Sequence, residues 1–169
     1  MKINISNLSE GVHEYELSRS AEELGLSEDF TGNVVAHAVL EKTTRQILLR
    51  AKVRAQAVFQ CDRCANEFRS DIRSVFEAAY VWEAGSSGEE SDDFHILSPD
   101  TNIIDISKDV KEYTLLAVPL KLLCKENCAG LCPRCGRNLN AMPNGICTCP
   151  PKEMDSRWGA LEKLKKAAH

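Results

Sequence analysis

The chain has 169 residues, 43% of them hydrophobic and 27% charged, which suffices for one core or for a core plus a small metal-held lobe. No apolar run approaches the roughly 20 residues of a membrane span, and residues 1–10 lack the charged, apolar and small-residue order of an export signal, so the expectation is a cytoplasmic protein with no membrane partner. A net charge of −4 argues, taken as a total, against a nucleic-acid partner, but the charges are segregated along the chain.

The first 41 residues carry 2 basic and 8 acidic groups, a balance of −6. From residue 33 the apolar positions alternate as in a half-buried strand, with Val34, Ala36, Ala38 and Leu40 on one face and Val35, His37 and Val39 on the other. His37 in this apolar setting is expected to be partly buried and satisfied. After a polar turn at 41–45 the alternation is cleaner. Ile47, Leu49, Ala51, Val53, Ala55, Ala57 and Phe59 share one face, and Arg50, Lys52, Arg54, Gln56 and Gln60 fill the other. Beyond Cys61-Asp62-Arg63-Cys64 it resumes with Phe68, Ile72, Phe76, Ala78, Tyr80 and Trp82 inward and Glu67, Arg69, Asp71, Arg73 and Glu77 outward. The first cysteine pair therefore falls at the tip of an antiparallel hairpin, in a stretch, 42–73, with 8 basic and 3 acidic residues.

Residues 83–102 are small, acidic and without periodic apolar positions, and read as a flexible loop. A helix is predicted from about Ser107, which can cap it, with Val110, Tyr113, Thr114 and Ala117 on one side and a stop at Pro119. The remaining cysteines follow among Gly130, Pro133, Gly136, Pro143, Gly145, Pro150 and Pro151, a composition of turns with almost no core of its own. A last helix is predicted from about Asp155, with Trp158, Leu161 and Leu164 on one stripe and Lys163, Lys165 and Lys166 near its end. The stretch 113–169 holds 9 basic and 4 acidic residues. The expected fold is α+β: an antiparallel β-sheet or meander with flanking helices and a C-terminal cysteine-rich zinc-binding lobe, divided as 1–82, 83–102 and 103–169.

All eight cysteines lie in close pairs: Cys61 with Cys64, Cys124 with Cys128, Cys132 with Cys135, and Cys147 with Cys149. Two thiolates two or three residues apart grip one side of a tetrahedral metal, and two such pairs close a structural zinc site. Eight thiols divide into two closed sites, so the expectation is two structural zinc ions, with disulfides, a redox pair and iron as the alternatives. Gly130-Leu131-Cys132-Pro133-Arg134-Cys135-Gly136 is a zinc-knuckle sequence whose glycine permits the backbone to curl past the sulfurs. A comfortable ribbon loop assigns Cys132, Cys135, Cys147 and Cys149 to one site and leaves Cys61, Cys64, Cys124 and Cys128 for the other. An interleaved set, Cys124 and Cys128 with Cys132 and Cys135, stays open at this point. A zinc ion on four thiolates carries a local charge of about −2, which offsets part of the basic charge that travels with the cysteines.

None of His13, His37, His95 and His169 adjoins a cysteine pair. The chain contains no phosphate-cradling glycine loop, no His-Glu-x-x-His, no Gly-x-Ser-x-Gly and no paired carboxylates in an apolar frame. The expectation is a protein that is not an enzyme and takes no small-molecule substrate. Arg50, Lys52, Arg54, Arg69 and Arg73, with Arg63 at the hairpin tip, form the candidate RNA-binding strip. The bland reading of such a strip is a solubilising wet strand face.

The knuckle Cys61-Asp62-Arg63-Cys64, the Val118-Pro119-Leu120 segment before Cys124, Gly130-Leu131-Cys132-Pro133-Arg134-Cys135-Gly136-Arg137-Asn138-Leu139-Asn140, Cys147-Thr148-Cys149 and Asp155-Ser156-Arg157-Trp158 together resemble the bacterial YceD family, the large ribosomal RNA subunit accumulation proteins. The resemblance covers roughly residues 30–169. It implies a non-enzymatic role in synthesis, processing or stability of large-subunit ribosomal RNA, with that RNA or a precursor ribosomal particle as partner. A zinc-ribbon adaptor that docks a protein, with indirect effects on RNA, is the alternative.

Overall fold

The computed structural model describes residues 1–82 and 94–150, which fall into two compact units. The first comprises residues 1–60 and 67–122. Its strands are β1 (Lys2–Asn4), β2 (Gly11–Ser20), β3 (Phe30–Lys42), β4 (Gln46–Gln60), β5 (Glu67–Trp82), β6 (Phe94–Leu97) and β7 (Ile103–Asp105), and its helix is α1 (Ser107–Leu116). Five strands form one sheet in the order β2-β3-β4-β5-β6, and β1 pairs with β7 in a second, two-stranded sheet.

The alternation of side chains decides which face is buried. Val34, Ala36, Ala38 and Leu40 of β3, all seven predicted inward residues of β4, and Ile72, Phe76, Ala78 and Tyr80 of β5 are buried in one core. A one-residue slip would turn every one of them to water, so the β3–β4 and β4–β5 registers are strongly specified. The β3–β4 pairing shifts register between Thr31 and Val35, where Gly32 takes a positive φ of 70°. Helix α1 covers the core with Val110 and Thr114 fully buried, and Tyr113 stacks on Phe76 with ring centroids 5.0 Å apart.

Several sequence expectations change. β2 is a strand that the reading from residue 33 onward left out; its cue is the weak alternation of His13, Tyr15 and Leu17 against Glu14, Glu16 and Ser18. The antiparallel meander holds for β2 to β5, but β6 runs parallel to β5, with Ala79 opposite Phe94, so the sheet is mixed. Of the stretch read as an acidic loop, residues 83–93 lie outside the described residues, and Phe94–Leu97 is β6, its apolar residues held against the sheet edge. Ser107 does not cap α1; it is the first helical residue, and the Asp105 carboxylate accepts its N–H at 3.0 Å. Hydrogen bonds from Ser107 and the charge of the terminal amine hold the Asp105 carboxyl at about 2, against the burial that opposes its ionisation most strongly. His37 is exposed, because its face of β3 is the wet one. The helix predicted from Asp155, with Trp158, lies outside the described residues. Among the described residues α1 is the one α-helix, and no helix is long and apolar enough to cross a membrane.

Ile47 and Leu48 are neighbours on opposite faces, one with no exposure and one 43% exposed. We expect Ile47→Ala to cost about 2–5 kcal/mol in denaturant unfolding, and Leu48→Ala less than about 1 kcal/mol. Equal costs would contradict this register.

Candidate metal centre

The second unit comprises residues 61–66 and the described residues from 123 onward. Two of its segments solve one backbone problem in the same way. To aim two thiols at one point within four residues, the chain must reverse direction just beyond the second thiol, through a left-handed residue. After Cys135 that residue is Gly136, φ 71°; after Cys64 it is Ala65, φ 56°. The N–H of Ala65 donates to the Cys61 carbonyl at 2.8 Å, and that of Gly136 to the Cys132 carbonyl at 2.9 Å. The N–H groups of Cys61 and Cys132 close the two loops by donating to the Asn66 and Arg137 carbonyls, at 2.9 and 2.8 Å.

The partner pairs complete each knuckle in the same crossed order. Cys61 Sγ lies 3.8 Å from that of Cys128, and Cys64 Sγ 3.7 Å from that of Cys124. Likewise Cys132 meets Cys149 at 3.6 Å, and Cys135 meets Cys147 at 3.4 Å. Within each set all four sulfurs lie within 4.8 Å of one another. A tetrahedral ion with metal–sulfur bonds of about 2.3 Å spaces its ligands about 3.8 Å apart, whereas a disulfide needs about 2.05 Å. Both sets therefore fit a four-coordinate metal ion and could hold one. The sets are those derived from loop lengths, and the interleaved alternative does not form. The closely spaced Cys147 and Cys149 both contribute sulfur to their set.

The electrostatics repeat as well. Burial opposes ionisation of Cys61 most strongly, yet the backbone N–H groups of Cys124, Arg63 and Cys64 outweigh it and bring the thiol down to about 6. The N–H groups of Cys135 and Arg134 do the same for Cys132, again to about 6. The last thiols to ionise meet the opposite fate. Cys124 is pushed up to about 12 by burial and by the neighbouring sulfurs, and Cys149 to about 12 by Cys147, burial and Cys132. A cation that lets all four ionise must displace those protons, so metal affinity falls as pH is lowered.

Three residues outside the thiols brace the sites. Arg63 donates to the Cys128 carbonyl at 3.0 Å, and Arg134, at the same position of its knuckle, to the Cys149 carbonyl at 3.4 Å. Asn140 donates its side-chain N–H to Cys128 Sγ at 3.2 Å and lowers that thiol. The amide is fixed by the Ala129 N–H, which donates to its oxygen at 3.0 Å, and by the Asn138 side-chain oxygen, which accepts from its nitrogen at 2.9 Å. The bracing roles of Asn138 and Asn140 went unread in the sequence, because nothing in local spacing says that an asparagine twelve residues beyond Cys128 returns to it. A Cβ on Gly130 would meet the Arg63 carbonyl at 3.1 Å, so the close approach of the two knuckle segments uses glycine.

Of the candidate RNA-binding residues, Arg63 is thus engaged within the knuckle, and Arg50 is ion-paired with Glu77 at 2.7 Å. Lys52, Arg54, Arg69 and Arg73 are exposed on the outward face of β4 and β5.

The family model described as Large ribosomal RNA subunit accumulation protein YceD matches residues 49–165 of this chain, a stretch that holds all eight cysteines. Large ribosomal RNA subunit accumulation protein YCED homolog 1, chloroplastic, of Arabidopsis thaliana is 31% identical over 148 residues, covering 72% of this chain and 45% of the relative. An uncharacterised protein of Mycobacterium tuberculosis is 22% identical over 125 residues, covering 74% and 58%. Uncharacterised YlbN of Bacillus subtilis is 37% identical over 78 residues, covering 46% and 42%. The chain spans about half the length of the curated relatives it matches. No solved structure matches it.

Asn140→Ala is expected to weaken metal binding about 10-fold or more in a competition titration with a chelator. The backbone at Ala65 sits where alanine is strained, so Ala65→Gly is expected to raise thermal stability, by about 0.5–1 kcal/mol. A loss of stability would mean that the left-handed turn at Ala65 is wrong.

Proposed function

The chain belongs to the YceD family, and on that premise we propose that it is a non-enzymatic factor for the accumulation of large-subunit ribosomal RNA, held in shape by two structural zinc ions and acting in the cytoplasm on that RNA or its precursor particle. The observation that carries the reading is the pair of all-cysteine sets, closed at tetrahedral spacing, inside the family-matched stretch. Zinc suits them because it is redox-inert, takes thiolates readily and accepts the tetrahedral shape without a geometric preference of its own. Bound there, the ion supplies cross-linking only, since four protein sulfurs leave a tetrahedral ion no open position for water or substrate. The chain's own residues do the rest: knuckle N–H groups hold the thiolates, and exposed cations on β4 and β5 offer the contact to RNA.

A second reading, a protein-docking adaptor, draws on Leu116 at the end of α1 and Leu120 beyond it, which are 77% and 108% exposed. Association with the precursor particle that survives nuclease treatment would favour it.

The reading is tested by metal analysis of chain purified without added metal, together with removal of the protein from its native cell. Two zinc ions per chain and a lowered ratio of large- to small-subunit ribosomal RNA are expected. A folded, metal-free chain would overturn the zinc sites, and an unchanged RNA ratio would overturn the role.

A further inference from the structure

Strands β4 and β5 face each other in register over their whole length, so each outward side chain has a defined opposite number. Arg50 faces Glu77, and the two form an ion pair. Gln56 faces Asp71, and Lys52 faces Val75. Arg54 alone faces another arginine, Arg73. Directly opposed residues on one face sit about 5 Å apart at Cβ, and like charges there destabilise the strand pair. The fold does not relieve this locally, for among the described residues neither guanidinium has an ion-pair partner within 4 Å. Lys52, opposite His37 in the β3–β4 register, lies one row away and adds to the positive band. His37, Arg54 and Arg73 line the same shallow surface hollow.

An anion seated between the two guanidiniums would turn their repulsion into two charge-assisted contacts. Three features narrow the anion. The hollow is lined mostly by charged and polar side chains on an exposed strand face, unlike the largely apolar, enclosing pocket a small ligand needs. No Phe, Tyr or Trp alternates onto the outward face of β2 to β5, so unpaired bases find no stacking platform there. Glu16 and Asp71 border the band and restrict it to a narrow line of contact, which suits one edge of a rigid polyanion. Resting on the RNA-contact reading above, we propose that Arg54 and Arg73, flanked by Lys52 and His37, form a clamp for the backbone phosphates of double-helical RNA. The clamp positions the helix by its phosphates and does not read base sequence.

The test uses the full chain and two probes, a short RNA duplex and an unpaired strand of equal length, in fluorescence anisotropy titrations over a range of salt. The duplex is expected to bind more tightly. R54Q/R73Q is expected to weaken duplex binding on the order of 10-fold and to lower the salt slope by about 2, with each single variant lowering it by about 1. K108Q/E112Q, which removes an ion pair of α1 outside the strip, is expected to leave the slope unchanged. Thermal unfolding separates the clamp from a merely structural role: R54Q/R73Q is expected to be as stable as the parent or more so, because it removes the opposed charges. Unaltered affinity and slope in R54Q/R73Q, preference for the unpaired strand, or lowered stability together with lost binding would each overturn the clamp. None of these outcomes touches the ratio of ribosomal RNAs in cells that lack the protein, so the clamp can fall while the family role stands.

Discussion

Four sulfurs confined within 4.8 Å of one another are the constraint on which the second unit depends. Ionised together they repel; protonated together they waste the N–H groups that the knuckles aim at them. The split between Cys61 and Cys132 at about 6 and Cys124 and Cys149 at about 12 expresses that conflict directly. A divalent ion bound by the four sulfurs would resolve it. Among the described residues the buried apolar side chains of this unit are the cysteines Cys61, Cys64, Cys128 and Cys132, while Leu131 and Ile146 are exposed. With no hydrocarbon core of its own among the described residues, the unit is one in which a metal held by either set would contribute folding free energy, on the order of 10 kcal/mol for a structural site.

The same device is used twice, with different tolerances. Each knuckle carries an arginine that donates to the last cysteine's carbonyl, and each pairs its first sulfur with the partner's last. The first set is the more enclosed, with Cys61, Cys64 and Cys128 buried, whereas Cys135 of the second is exposed. Asn140 ties the two together, since it follows the second knuckle in sequence yet donates to a sulfur of the first set. Arg63 serves the same end through its carbonyl, which accepts from the N–H of Leu131 at 3.0 Å.

The first unit rests on a different principle. Its core is assembled by strict alternation along β3, β4 and β5, and α1 covers that core with Val110, Tyr113 and Thr114. Alternation leaves the opposite face free to carry charge, and the charge on that face is not uniform. Arg50 is spent on Glu77, while Arg54 and Arg73 are set against each other. An exposed strand face can thus pair opposite charges in one row and set like charges against each other in the next, a distinction that depends on register and not on composition.

The two-sided alternation of β3, the inward faces of β4 and β5, the place of α1 and the grouping of the eight cysteines were legible in the sequence, because each is set by spacing along the chain: period two for strands, three to four for the helix, one to three residues between thiols. β2 was missed because its inward residues are only half-buried and its apolar signal is correspondingly weak, and β6 because four residues between an acidic run and a turn carry too little pattern to read. The bracing by Asn138 and Asn140 and the opposition of Arg54 to Arg73 join residues far apart in order or fixed only by strand pairing. The amino-acid sequence by itself determined which residues could be buried and which could bind metal, since those are properties of residue type and local period. Which arginines are neutralised, which left facing one another, and which amide reaches which sulfur were decided only by the tertiary structure, because they depend on distances between segments that spacing along the chain does not encode.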